Sequence, residues 1–225
     1  MYKTETHLHV SEVSPCGKIP AAEMVRLYHE AGYQTLFISD HFHKKYFDRL
    51  GDLSWEEKVD QFLSGYRIAK AAAEKTDMYI LPAAELRLNG DCNDYLLYGI
   101  DEAFLKKRPD VLEMTIESFY AYAKENGVTV VQAHPCRDGV CIPTPEFVDG
   151  LEVYNSNPRH ENFSEQVMDL AQRHQRAMTA GSDAHRLEDV ALSGVMTETE
   201  ICTADDYMRA LLRGELKMIK GESGA

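Results

Sequence analysis

One pattern constrains this chain more than any other: short apolar runs that end on a histidine, an aspartate or a glutamate. Tyr2 to His9 alternates weakly and ends in His7-Leu8-His9, and Thr35 to Ser39 runs straight into Asp40-His41. Met78 to Ala84 delivers Glu85, Val128 to Gln132 delivers His134, and Ala177 to Ala180 delivers Gly181-Ser182-Asp183-Ala184-His185. Side chains two positions apart on a strand share a face. His7 with His9, and Asp183 with His185, therefore each present two metal-capable groups together. Imidazole and carboxylate donors suit zinc, manganese or iron(II), and the absence of thiolate pairs argues against a purely structural zinc. A fold that uses all these residues at once must bring many strand ends to one place.

Helical patterns separate the runs. Pro20 suits the first turn of a helix with Ala21, Met24, Val25, Tyr28 and Ala31 on its apolar face and Gly32 as the stop. Ser54-x-x-Glu57 reads as a capping box, with Val59, Phe62, Leu63, Tyr66 and Ala69 following at helical spacing. Further helices are expected over 115–126, around Phe163 to Ala171, and from Ala204 to Arg213. Asp94 to Gly99 and Leu151 to Tyr154 complete a set of seven strands. Strands alternating with helices predict an α/β fold on a parallel sheet. Seven of them in 225 residues predict a closed or nearly closed barrel, smaller than the ~250-residue eight-stranded norm. Chemistry in such barrels collects at the C-terminal strand ends, where these polar residues fall. An open doubly wound sheet would instead gather its ligand at one crevice. The chain shows no internal repeat, low-complexity tract or linker, so a single domain over 1–225 is expected.

Charge narrows the partners. Lysine and arginine number 24 against 37 aspartates and glutamates, a formal net charge of −13. Such a field repels long duplex DNA or RNA. No apolar stretch approaches the ~20 residues of a membrane span, and Met1-Tyr2-Lys3-Thr4-Glu5 lacks a signal peptide's apolar core. The five cysteines are odd in number and form no CxxC pair, which fits neither a disulfide framework nor a thiolate zinc site. A cytoplasmic protein is the expectation.

Taken in order, HxH at His7, SDH at Ser39 to His41, Glu85 after the third strand, HPxR at His134 to Arg137 and GSDxH at Gly181 to His185 resemble the PHP (polymerase and histidinol phosphatase) superfamily of metal-dependent phosphoesterases. The resemblance spans about four-fifths of the chain and implies a distorted (β/α)7 barrel with two or three divalent ions at the C-terminal ends of its strands. It implies that His7, His9, Glu85 and Asp183 surround one metal, that Glu85 bridges to a second also bound by His134, and that His41 and His185 hold a third. Where relatives often place a histidine at the start of the fourth strand, this chain has Asn93-Asp94, and Asp94 is the expected substitute ligand. Where relatives often have Ser-Asp-Gly after HxH, this chain reads Ser11-Glu12-Val13-Ser14-Pro15-Cys16-Gly17. Glu12 is the candidate ligand there, with Cys16 behind it.

The remaining polar residues have substrate roles or structural ones. Arg137 stands three residues past a proposed ligand, and its guanidinium matches a phosphate fork. Asn155, Asn157, Arg159 and His160 lie on one loop and are candidates to bind the rest of the substrate or to stabilise that loop. Asp40 is expected to orient a histidine rather than to bind metal. The implied reaction is hydrolysis of a small phosphoester by a metal-activated hydroxide, with Glu85, His134 and Asp183 at its centre. Zinc, manganese and iron all fit. Two other readings keep the metals: an exonuclease trimming short oligonucleotides, and a catalytically silent metal-binding domain. A metal-dependent C–N hydrolase on a related barrel is a further alternative, but such sites commonly use a carbamylated lysine, and no lysine here stands at a strand end in the expected way.

Overall fold

Strand β1 (Tyr2–Glu5) lies between β2 (Thr35–Ile38), parallel to it, and β9 (Ser193–Thr197), antiparallel. The computed structural model describes residues 1–221. Its other strands are β3 (His41–His43), β4 (Tyr79–Arg87), β5 (Asp94–Tyr98), β6 (Thr129–Ala133), β7 (Gly150–Asn155), β8 (Ala177–Gly181) and β10 (Lys217–Lys220). They form one ten-stranded sheet in the order β10-β9-β1-β2-β4-β5-β6-β7-β8, with β3 paired to β4. Around it stand α1 (Ala21–Glu30), α2 (Lys44–Asp48), α3 (Trp55–Phe62), α4 (Ser64–Ala73), α5 (Glu102–Lys107), α6 (Ile116–Glu125), α7 (Ser164–Arg173) and α8 (Ala204–Leu212). The result is a distorted α/β barrel.

The sheet is mixed rather than parallel throughout, which corrects the expectation from the alternating pattern. Strand β5 runs antiparallel to both β4 and β6. Only residues 88–93 link β4 to β5, and a connection that short permits an antiparallel neighbour but no parallel crossover. This reversal matters to the site. Asp94, the first residue of β5, pairs in register with Ala133, the last of β6, so it reaches the same rim that the parallel strands reach with their C-terminal ends.

The seam of the barrel closes beyond the ends of β1 and β8. Leu8 bridges to Ala184 in parallel, Asp183 N donates to His7 O at 2.8 Å, and His9 N donates to Ala184 O at 3.0 Å. The two motifs farthest apart in sequence are thus stitched backbone to backbone.

The capping box at Ser54 and Glu57 opens α3 as the spacing predicts, but the helix breaks at Leu63 and α4 starts anew. Helix α1 buries Ala21, Met24, Val25 and Tyr28, the face its periodicity predicts. Below the rim the barrel is filled: Phe37, Tyr98 and Tyr207 pack with ring centroids 4.6–5.0 Å apart. Each such aromatic pair adds about 0.5–1.5 kcal/mol beyond area burial. Their hydroxyls are satisfied, Tyr98 donating to Thr6 O at 3.1 Å and Tyr207 meeting Thr179 Oγ1 at 2.8 Å. These packed rings form a floor beneath the rim.

Candidate metal centre

His7 and His9 project from the extension of β1, and both are fully buried. His7 Nδ1 lies 3.0 Å from Glu152 Oε1. A carboxylate accepts, so the proton of that ring belongs on Nδ1 and the lone pair on Nε2. His9 Nδ1 faces Ser14 Oγ at 3.3 Å, and Ser14 Oγ itself donates to Asp40 Oδ1 at 2.6 Å. The lone pair of His9 is therefore also on Nε2. These two Nε2 atoms stand 3.1 Å apart. Two lone pairs that close repel unless a cation lies between them, whether a proton or a metal ion.

Two carboxylates complete the convergence. Glu85 Oε1 is 3.4 Å from His7 Nε2 and Oε2 is 3.5 Å from His9 Nε2. Asp183 Oδ1 is 3.5 Å from His7 Nε2 and 3.2 Å from His9 Nε2. On its other side Glu85 meets His134 Nε2 at 2.9 Å and His41 Nδ1 at 2.5 Å. That last approach lacks hydrogen-bond geometry, and both His41 Nδ1 and Glu85 Oε2 are buried with no hydrogen-bond partner. Buried charges without partners are costly unless they coordinate a metal. The donor atoms form four overlapping groups, each within 4.8 Å: His7/His9/Glu85, His7/His134/Asp183, Glu85/Asp94/His134 and His9/His41/His185. These clusters can bind one or more metal ions, and the residues fit the task.

Electrostatics follow the same geometry. Burial opposes charge on His7, but Glu152, Asp183 and Glu85 outweigh it and hold the ring well above its ordinary value. Burial, with His41 and His185 nearby, pushes His9 well below its own. Despite burial, Glu85 and Asp183 are held well below the carboxylate range, Glu85 by His41 and His7, and Asp183 by His7, His9 and Arg137. Burial likewise opposes ionisation of Cys16, yet His185 and His41 bring its thiol down to about 6. Two of the donor residues also hold left-handed backbone conformations. His134 and Asp183 hold φ of 29° and 50°, which costs about 1–3 kcal/mol each and persists only where the surroundings over-determine it. His134 N is held by Glu152 Oε2 at 2.9 Å.

Not every candidate reaches the cluster. Glu12 is exposed, and both its oxygens accept from Ala21 N at 3.0 Å, so it caps α1 instead of facing the histidines. The helix start competes for the carboxylate and wins, because four N–H groups there lack partners. Asp94 lies at the edge, with Oδ2 3.9 Å from His134 Nε2, and Arg87 grips both its oxygens, Nε to Oδ1 at 2.7 Å. Arg137 is at the site, its Nη2 2.5 Å from Asp183 Oδ2.

The loop after β7 turns inward on the carboxylates. Asn155 Nδ2 donates to Glu152 Oε2 at 2.9 Å, and Asn157 Nδ2 to Asp183 Oδ2 at 3.2 Å. Arg159 forks onto buried Asp189 at 2.8 and 2.7 Å, and Asp189 in turn accepts from His185 N. His160 is exposed and pairs with Asp138 at 2.7 Å. These contacts hold the rim together. Among the described residues Asp40 makes no hydrogen bond to a histidine ring; it acts on His9 through Ser14.

Sequence reasoning passed over Glu152, Glu5, Ser14 and Arg87. Glu5 Oε1 accepts from Thr6 N, His7 N and Ser182 N at 2.9, 2.9 and 3.0 Å, pinning the two seam segments just before His7 and Asp183. The available signal was a glutamate inside an apolar strand, Leu151-Glu152-Val153, since a charge in a run buried on both faces needs a partner.

A family model described as PHP-associated matches residues 162–216. Among solved structures, a two-domain protein from Bacteroides vulgatus containing a predicted PHP-like metal-dependent phosphoesterase aligns at a TM-score of 0.68 and 13% identity, over 98% of this chain and 65% of that one. The present chain thus spans just under two thirds of that protein's length. PsfC from Pseudomonas syringae aligns at 0.67 and 16% identity, over 98% of this chain and 92% of that one. A lesion-specific endonuclease from Pyrococcus furiosus aligns at 0.59 and 13% identity, over 96% of this chain and 57% of that one. No curated protein matches the sequence.

Proposed function

We propose that this chain is a member of the PHP superfamily and a hydrolase cleaving small-molecule phosphoesters with two or three divalent ions. The observation that carries this reading is the meeting of His7, His9, Glu85 and Asp183 in one buried cluster with the Arg137 guanidinium against Asp183. A cation cluster bordered by an arginine suits a dianionic phosphoryl group. The expected ligands are His7, His9, Glu85 and Asp183 for one ion, Glu85 and His134 with Asp94 beside them for a second, and His41 with His185 for a third. Zinc, manganese and iron(II) all suit these donors. When bound, the ions supply Lewis acidity to the phosphoryl oxygens and to the attacking water.

The chain's own residues do the rest. Glu152 keeps the Nδ1 proton on His7 and so keeps Nε2 available, and Ser14 with Asp40 does the same for His9. Arg137 neutralises phosphoryl charge as it develops. Asn157 and Arg137 hold Asp183 in its strained conformation from two sides. Neither a serine nor a cysteine nucleophile is required. We also propose that residues 1–225 act as one domain. Among the described residues no helix is long and apolar enough to cross a membrane.

The test is a phosphoester panel with metal-replete protein. Slow cleavage of a generic aryl phosphate with added manganese, abolished by a chelator, is the expected outcome. Bound metal with no turnover on any phosphoester would make this a silent metal-binding domain. Because one structural neighbour is an endonuclease, single-stranded oligonucleotides belong in the panel. Cleaving them faster than mononucleotides would overturn the small-substrate reading, which the net charge of −13 favours.

A further inference from the structure

We propose that the leaving group of the substrate carries a second anionic group, a carboxylate or a phosphate, received by a basic groove beside the metal centre. The inference rests on the function proposed above and names the class of substrate. Strands β3 and β4 run parallel with His41 opposite Glu85. The next residues on the same face of each are His43 and Arg87, which also pair in register. The His41 and His43 rings lie 5.2 Å apart, centroid to centroid. Two strand residues advance ~6.6 Å, too far for one phosphoryl group to touch both rows. A phosphoryl group on the row of His41 and Glu85 therefore leaves the outer row to another part of the same molecule.

Basic side chains gather on that outer row. His43, Lys44, Lys45 and Arg87 line a groove of about 190 Å³. Arg87, its side chain 46% exposed, holds Asp94 through Nε and Nη2, which leaves Nη1 to a ligand. His43 Nδ1 accepts from Tyr46 N at 3.0 Å, so Nε2 carries the ring's proton and is a donor. Lys44 pairs with exposed Asp48 at 2.7 Å, and among the described residues Lys45 makes no ion pair. Asp91 is on the wall too, but its oxygens accept from Asn93 N at 2.9 Å and from the Tyr95 hydroxyl at 3.0 Å. Donors thus outnumber free acceptors here, in a chain whose formal net charge is −13. A local field of that sign attracts an anion and repels a cationic leaving group.

Calorimetry on metal-loaded protein with matched phosphonates tests this without turnover. Benzylphosphonate is the reference. 4-Carboxybenzylphosphonate, 1,4-xylylenebisphosphonate and 4-(aminomethyl)benzylphosphonate add a carboxylate, a second phosphonate or an ammonium at the far end of the ring. At least one added anion should tighten binding about tenfold or more, the worth of one charge-assisted contact, and the ammonium should weaken it. The tighter of the two anions identifies the natural group as carboxylate or phosphate. In the Lys44→Ala/Lys45→Ala protein that preference should fall to about threefold or less. Both lysines are exposed, so the fold and the metal content should be kept, which elemental analysis checks. Affinities within about twofold for the reference and both anionic compounds, or a preference unchanged in the double variant, overturn the groove. Turnover of aryl phosphates without the preference would do so while keeping the hydrolase reading. The preference without turnover on any phosphoester would keep the groove and sink that reading. Binding of none of the compounds overturns both.

Discussion

The Nε2 atoms of His7 and His9 face each other across 3.1 Å, each ring turned that way by an oxygen bonded to its far nitrogen. Neither imidazole satisfies the other. The arrangement stores a demand for positive charge in a fully buried place, and the carboxylates of Glu85 and Asp183 strengthen that demand.

His7→Ala and Asp183→Ala should each lose bound metal together with activity, since the seam places both residues on the same cluster. Elemental analysis after reconstitution measures the loss. Wild-type protein should hold two to three equivalents, and one or fewer would sink the cluster model. Glu12→Ala should keep its full metal content and lose only some stability, because Glu12 caps α1.

Glu152→Gln should fold normally yet bind metal about 10–100-fold more weakly, as removal of a histidine's outer partner generally does. A glutamine amide meets His7 Nδ1 with either a donor or an acceptor and no longer dictates where the ring's proton sits. Chelator competition reads the affinity. A role in packing alone would leave it unchanged.

Arg137→Ala should keep metal and fold while kcat/KM falls by about ten- to a hundredfold, the worth of charge-assisted contacts of about 1.5–3 kcal/mol. Arg137→Lys should recover only part, since an ammonium cannot reproduce the fork. Metal loss in the alanine variant would instead make Arg137 a support for Asp183, which it touches.

Arg159→Ala should show its effect in stability. It removes the partner of Asp189, which is fully buried, and breaking such a pair costs about 3 kcal/mol. Burial opposes ionisation of Asp189, but Arg159 and backbone N–H donors hold its carboxyl below the ordinary value. A carboxyl whose folded pKa is depressed contributes stability above its unfolded pKa, and that contribution is lost as pH falls through the folded one. The gap between wild type and variant in denaturant melts should therefore be full at pH 7 and shrink below about pH 4.

Much of the site is legible in the sequence. A histidine or carboxylate closing an apolar run identifies itself, because burial and strand termination are both local properties of sequence. Hence His7, His9, His41, Glu85, His134, Asp183 and His185 all reach the rim. Helix starts at Ser54 and Thr115 are equally readable, since a cap is satisfied within its own turn.

What tertiary structure decided was how polar groups compete for partners. Glu12 stands three residues from His9 in sequence, yet the N-terminus of α1 takes its carboxylate. Asp94 reaches the rim only because β5 runs backwards, and Arg87 then claims it. Glu152 reads as an ordinary strand residue, and only the placement of β7 sets it beside His7, 145 positions away. The sequence by itself determined which side chains are able to hold a metal, because donor chemistry belongs to each residue alone. Which of them are free to do so depends on hydrogen bonds between segments far apart in the chain, and only the closed barrel makes those bonds.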